Sequence, residues 1–275
     1  MTANSAKERP LSERVLVIRG AGEQASGIAC RLYRANFRRI LMLETSFPLA
    51  VRRLVSFCEA VHEQEMTVEG ITAVRADRVE EVAGIWSAGS IAVLVDPEAA
   101  SLATVRPDLL LDATLAKRNL GTSMRDAPLV IGLGPGFTAG VDCHLVVETN
   151  RGHDLGRVIE SGQAEPDTGI PGAIAGYTRE RVLRAPVAGR FESERAIGDL
   201  VRKGEPVGRV GEVQVQAAID GVLRGLIRPG AQVRAGLKIG DVDPRGNQEY
   251  CATVSEKARA LGGAVLEALL AFYNR

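Results

Sequence analysis

Asp142, His144 and Glu148 set two carboxylates and an imidazole within a short stretch of chain. In an extended strand these three positions share one face, because side chains alternate with period two. His144 can then exchange a proton while Asp142 or Glu148 fixes its tautomer, which makes the three the candidate catalytic set. A hydrogen-bond network that only holds the turn after Glu148 is the competing reading. Asp142, His144 and His153 match no strong zinc spacing, so no metal is assigned. Cys143 faces away from His144 in a regular strand, which argues against a Cys–His nucleophile pair.

A glycine-rich turn precedes this block. Val130-Ile131-Gly132-Leu133-Gly134-Pro135-Gly136-Phe137 is an apolar run that breaks into a loop. Gly132, Gly134 and Gly136 leave successive amides room to gather around an anion. No Lys-Ser or Lys-Thr follows, so this is not a Walker loop. A second such turn lies near the start. The apolar run Val15–Arg19 ends in Gly20-Ala21-Gly22-Glu23-Gln24-Ala25-Ser26-Gly27, and Ile28, Leu32 and Tyr33 mark one face of a helix after it. The next apolar run, 40–43, ends at Glu44. A G-x-G-x-x-A turn between strand and helix fits a pyrophosphate at the helix N-terminus, and a carboxylate at position 44 fits a ribose hydroxyl. Gly20, Gly22, Gly27 and Glu44 are therefore candidate nucleotide-binding residues. Glycines that only shape a turn are the alternative.

These loops need elements to position them. Apolar runs at 71–74, 91–95, 109–111 and 129–133 alternate with helical patterns, including one opening at Pro48 with Val51, Leu54, Val55, Cys58 and Val61 on its face. Such alternation predicts an α/β fold, a Rossmann-like parallel sheet over residues 14–150 with its ligand site at the carboxyl ends of the strands. Asp112 and Lys117 fall just beyond one such end and join the candidate binding set. Arg52 and Arg53 would reach an anion at the edge or form a surface ion pair.

A Gly- and Pro-rich connector follows over 151–183. Residues 184–244 then repeat with a period of 32: Ala185, Gly189, Phe191, Gly198 and Val201 align with Ala217, Gly221, Leu223, Gly230 and Val233. Two halves of this kind interlock into a small all-β domain. The repeat resembles the lipoyl/biotinyl-type barrel-sandwich. Its hairpin, Gly211-Glu212-Val213-Gln214, has no lysine, so no biotin or lipoate is expected. Residues 245–275 predict a helix, capped by Ser255, that packs on the first domain.

The chain has 275 residues, 45% hydrophobic and 25% charged, with 34 basic against 34 acidic residues. This balance gives no footprint for nucleic acid or an anionic membrane, and no apolar run reaches membrane-spanning length. Four well-separated cysteines and a polar, unordered N-terminal dozen residues fit a cytoplasmic protein.

Arg19-Gly20-x-Gly22, Arg52-Arg53, Asp112 to Asn119, Gly132-Leu-Gly-Pro-Gly-Phe, Val146 to Leu155 and Asp241-Val-Asp-Pro-Arg245 together resemble YqeB-type accessory proteins of the selenium-dependent molybdenum hydroxylase system. The resemblance implies a maturation role alongside XdhC-type proteins, which also carry a Rossmann-like domain. It implies a molybdopterin-type cofactor or an adenine nucleotide such as NAD as ligand. It further implies molybdenum hydroxylase subunits or other maturation proteins as partners, and it allows a homo-oligomer. An NAD-dependent oxidoreductase and a non-catalytic assembly scaffold are the alternatives, and whether the chain is an enzyme stays open.

Overall fold

Five-residue apolar runs with no polar face must be buried on both sides, and such strands build the centre of this protein. The computed structural model describes residues 9–274. The expected unordered N-terminal dozen falls outside the described residues up to position 8, and Leu11–Glu13 form a 3₁₀ turn. Two compact units are present. The first comprises Met1–Pro48, Phe57–Asp167 and Val254–Arg275, the second Leu49–Ser56 and Thr168–Thr253.

The strands of the first unit are β1 (Val15–Arg19), β2 (Arg39–Glu44), β3 (Glu65–Val68), β4 (Ile71–Ala76), β5 (Ile91–Val95), β6 (Leu109–Asp112), β7 (Leu129–Leu133), β8 (Thr138–Ala139), β9 (Leu145–Val147), β10 (Val158–Ile159) and β11 (Gly162–Gln163). Nine of them form one sheet in the order β10-β9-β7-β6-β1-β2-β5-β4-β3, while β8 and β11 pair separately. All residues of β1 and β7 are buried. Arg19 lies opposite Asp112 in the β1–β6 register, and Asp112 lies opposite Gly132 in β6–β7.

The expectation of a Rossmann-like parallel sheet is corrected: the sheet is mixed. At one edge β3 and β4 are antiparallel. Their two-residue turn, Glu69-Gly70, has φ values of 47° and 80°, the positive pair that a tight hairpin turn requires. At the other edge β10 returns antiparallel along β9.

The helices are α1 (Glu23–Arg34), α2 (Ala60–Glu63), α3 (Val82–Ser87), α4 (Leu102–Val105), α5 (Glu249–Ala252) and α6 (Glu256–Tyr273), of which α5 belongs to the second unit. The long helix expected from Pro48 to Val61 is replaced by two 3₁₀ turns and α2. Tertiary partners take its backbone groups: Phe57 N–H donates to Ser26 Oγ and Cys58 N–H to the Ala21 carbonyl. The Ser255 side chain accepts from Ala258 N–H and starts α6. Helix α6 packs on α1, and a Cβ added at Gly27 would lie 2.6 Å from the Ala258 Cβ. The crossing therefore leaves no room for a side chain at position 27.

In the second unit the strands are β12 (Val182–Arg184), β13 (Gly189–Glu192), β14 (Leu200–Val201), β15 (Pro206–Val210), β16 (Val213–Gln216), β17 (Gly221–Leu226), β18 (Gln232–Val233) and β19 (Lys238–Asp243). Strands starting at 189, 200 and 206 recur at 221, 232 and 238, the spacing of the sequence repeat. The lipoyl-type barrel expectation is corrected. The strands form two separate four-stranded antiparallel sheets, β12-β19-β17-β14 and β16-β15-β13-β18. Strands β12 and β16, which lie outside the recurring set, each complete one sheet. Phe191, Val207, Leu223, Leu226 and Val242 fill the core. A buried ionic centre ties the first sheet together: Arg181 and Arg224 hold Asp241, and Arg224 and Arg245 hold Asp243. Burial raises the proton affinity of both carboxyls. For Asp241 the field of Lys238, Arg224 and Arg181 outweighs it, and for Asp243 the bonds to Arg245 and the charge of Arg224 do, so both end below the usual range.

Arg52 and Arg53 bond to backbone carbonyls. Within the second unit, Arg52 donates to the Tyr250 and Thr253 carbonyls at the end of α5, and Arg53 Nε donates to the Leu226 carbonyl.

Candidate functional site

Strands β1, β2, β6, β7 and β9 run in one direction and bring most of the expected residues to one sheet edge. Gly20 has a φ of 91°, and a Cβ there would lie 3.0 Å from the Ala113 carbonyl oxygen. Glycine is required both for the turn and for the close approach of the two strand ends. Gly20 N–H donates to the Leu43 carbonyl, and Ala21 N–H donates to Glu44 Oε2 at 2.9 Å. Glu44 Oε1 accepts from Thr45 N–H. The first two amides of the turn and both oxygens of Glu44 thus serve the fold rather than a pyrophosphate and a ribose. Gly22 accepts Ser26 N–H through its carbonyl, and a side chain at 22 would meet open space. Gly27 has the packing role described above.

Asp112 is fully buried. Its Oδ1 accepts from the Thr114 hydroxyl at 2.7 Å and its Oδ2 from the Thr122 hydroxyl at 2.6 Å. Arg19, also buried, donates to Thr122 Oγ1 at 2.7 Å and lies 3.5 Å from Asp112. A desolvated charge pair persists only when its remaining hydrogen-bond capacity is met, and here it is. Lys117 is not part of this group. It sits in a turn with φ 62°, and its ammonium pairs with Asp167.

The glycines of the 132–136 loop are in contact with protein. A Cβ at Gly132 would lie 2.5 Å from the Phe137 ring, one at Gly134 2.5 Å from Thr149 Oγ1, and one at Gly136 2.5 Å from the Arg118 nitrogen. Gly134 N–H donates to the Val147 carbonyl.

Asp142, His144 and Glu148 go to three separate tasks. Asp142 accepts Thr138 N–H at 2.7 Å and the Asn119 amide at 3.3 Å, closing the loop before β9. His144 Nδ1 accepts Val130 N–H at 2.9 Å while its own N–H returns to the Val130 carbonyl. Burial lowers the His144 pKa, and Nδ1, as the acceptor from Val130 N–H, carries no proton. The buried Glu148 accepts three backbone amides, from Thr149, Asn150 and Glu165, at 2.6, 2.6 and 2.7 Å. No hydrogen bond links the three side chains to one another. Of the three, only Glu148 bonds into the turn that follows it.

Lys257, in the first turn of α6, is the residue that sequence reasoning missed. Burial lowers its pKa, and the nearby Arg151 guanidinium lowers it further, against the fields of Glu23, Glu148 and Glu256. Arg151 itself pairs with Glu256 at 2.7 Å, and its Nε is buried with no partner. A lysine two residues after a helix cap ordinarily reads as a solvated surface charge, so no local pattern marks it. Among the described residues, no group of three or more His, Cys, Asp or Glu could hold a metal ion.

No family model matches this chain. It is 50% identical over 261 residues to the Escherichia coli (strain K12) protein named "Uncharacterized protein YqeB". That alignment covers 95% of this chain and 48% of the relative, so the chain spans about half the length of the protein it matches. Among solved structures it is similar to an aspartoacylase family protein from Mesorhizobium loti, with 12% identity, 83% of this chain and 84% of that one covered, and a TM-score of 0.28. A succinylglutamate desuccinylase/aspartoacylase from Rhodobacter sphaeroides gives 16%, 83%, 85% and 0.26. The ectoine utilization protein EutE from Ruegeria pomeroyi gives 11%, 83%, 84% and 0.25.

These findings correct the expected system and function. No name that these comparisons print is that of an XdhC-type or molybdenum hydroxylase maturation factor. The relative's name carries no activity. The maturation role and its nucleotide-bearing cofactor are therefore set aside. So are the NAD-dependent oxidoreductase, whose turn amides and ribose carboxylate are already engaged, and the assembly scaffold.

Proposed function

We propose that the first unit is a small-molecule-binding domain in which Lys257 is the proton-exchanging amine. The reading rests on one observation: a half-buried amine at the N-terminus of α6 whose pKa is lowered by burial and by the Arg151 charge, against the fields of Glu23, Glu148 and Glu256. Desolvation and a neighbouring cation both favour the neutral amine, the form that accepts a proton. Glu23, the first residue of α1, supplies a carboxylate, and Gly22 before it has open space where a side chain would stand. Glu148, held by three amides, contributes a fixed negative field. Asp112, Asp142 and His144 hold the strand ends and loops that support this corner.

The four cysteines are all free and buried, and among the described residues no helix is long and apolar enough to cross a membrane. Both fit a cytoplasmic setting. The activity and partners of any longer protein containing this chain are part of the same proposal.

Competitive acylation of lysines across a pH series, read by mass spectrometry, tests the amine directly. Lys257 should label with a midpoint below the ordinary lysine value of 10.5. A midpoint at or above that value would sink the reading. Small-molecule ligands found by thermal shift should then protect Lys257 from the reagent and lose affinity in Lys257→Met.

A further inference from the structure

Helices α1 and α6 border a half-open pocket of about 380 Å³, in which the arginine side chains are largely exposed. Three arginines line it: Arg31 and Arg34 from the last turn of α1, and Arg259 from the first turn of α6. Glu69, in the β3–β4 turn, is the carboxylate that answers them. Its oxygens lie 3.0 Å from Arg34 and 2.6 Å from Arg259, and it also accepts Val254 N–H at 2.9 Å. Burial raises the Glu69 pKa, but the Val254 amide and the two guanidiniums outweigh it and hold the carboxyl below its usual value. Arg31 has no ion pair among the described residues.

The charge count is three cations against one anion. The dipole of α1 accounts for Arg31 and Arg34 near its C-terminus, but it disfavours Arg259 in the first turn of α6. The stem of Arg31 is set by packing: a Cβ at Gly262 would lie 2.9 Å from the Arg31 Cβ. The remaining wall is apolar or neutral. Val254 and Leu266 supply hydrocarbon, and burial pushes the Cys30 thiol up to about 12, so it carries no charge to oppose an anion. The volume is within the range of small-molecule sites.

We propose that this cavity binds a small organic dianion, its anionic groups held by Arg31 and by Arg34 with Arg259, and its carbon skeleton against Val254 and Leu266. Carboxylate and phosphate share the planar or forked geometry that guanidinium recognises. The site is separate from the Lys257 corner and stands without it.

Calorimetry on the full chain at low ionic strength, with malate, glycerol phosphate and inorganic phosphate as probes, tests it. At least one organic dianion should bind more tightly than inorganic phosphate, and the tighter of the two identifies the preferred anionic group. Arg31→Ala should weaken that binding about tenfold or more, the cost of one charged hydrogen bond, with the melting temperature unchanged. Glu69→Gln, which keeps an acceptor for Val254 N–H but removes the competing charge, should tighten it. Lys257→Met should leave it unchanged. Absence of binding by both organic dianions at millimolar concentration would overturn the proposal. Equal affinity in Arg31→Ala, no tightening in Glu69→Gln, or loss of binding in Lys257→Met would do the same.

Discussion

The sheet edge and the α1–α6 cavity of the first unit use charge in opposite ways. At the edge, Asp112, Asp142 and Glu148 each have backbone amides, hydroxyls or a guanidinium on them, and Arg19 is engaged with Thr122 and Asp112. In the cavity, Arg34 and Arg259 share Glu69 and Arg31 has no ion pair among the described residues. A polar network whose members are mutually satisfied and buried holds a fold in one arrangement. A cluster with surplus charge beside a void has interaction capacity left for a ligand. The residues with the most site-like sequence pattern are thus the ones the fold consumes, and the open cluster lies on two helix ends with no motif.

Mutations can break this contrast. Asp112→Ala should have the largest effect, because it leaves Arg19 charged and buried; a loss of about 3–5 kcal/mol is expected from denaturant unfolding. A loss below about 1 kcal/mol would mean the edge network is not closed as described. Gly27→Val comes next. Its new side chain meets Ala258 and Val254 across the helix crossing, and overpacking of this kind costs about 1–3 kcal/mol. The cavity should collapse or widen with it, so dianion binding should fall together with stability. Arg31→Ala is expected to change stability by no more than about 0.5 kcal/mol. A larger loss would place Arg31 among the structural charges and erase the contrast.

The second unit sharpens it through pH. The folded pKa values of Asp241 and Asp243 lie below the ordinary carboxylate value of 3.8. Their contribution is therefore fully present above that value and is lost as pH falls through the lowered folded values. Acid titration followed by the hydrogen exchange of β17 and β19 amides should show this unit loosening only in that range. Asp241→Asn should move the onset to higher pH, since one of the two low-pKa carboxyls no longer sustains it.

Much of the first unit was legible because its signals are local. The apolar runs at 15–19, 91–95 and 129–133 are strands in the structure, and Ser255 caps its helix. The sheet's mixed character was hidden in Glu69-Gly70, a turn signal with short strands on either side. The segment 48–61 has a helical spacing of apolar residues, yet Ser26 and Ala21 capture its backbone groups from far away in sequence. The 132–136 glycines read as an anion nest because their neighbours Phe137, Thr149 and Arg118 cannot be seen at that spacing. Lys257 was missed for the same reason: the charges of Arg151, Glu148 and Glu23 that act on it come from more than a hundred positions away.

The sequence by itself determined where strands and turns begin, the 32-residue recurrence of the second unit, and which residues have titratable groups. Those properties follow from side-chain volume, polarity and backbone preference, which each residue brings with it. Only the tertiary structure decided that Asp142, His144 and Glu148 serve different neighbours, that Glu44 binds its own turn, and that Arg31, Arg34 and Arg259 face one cavity. Hydrogen-bond partners and desolvation are properties of the packed arrangement, and no single stretch of chain contains them.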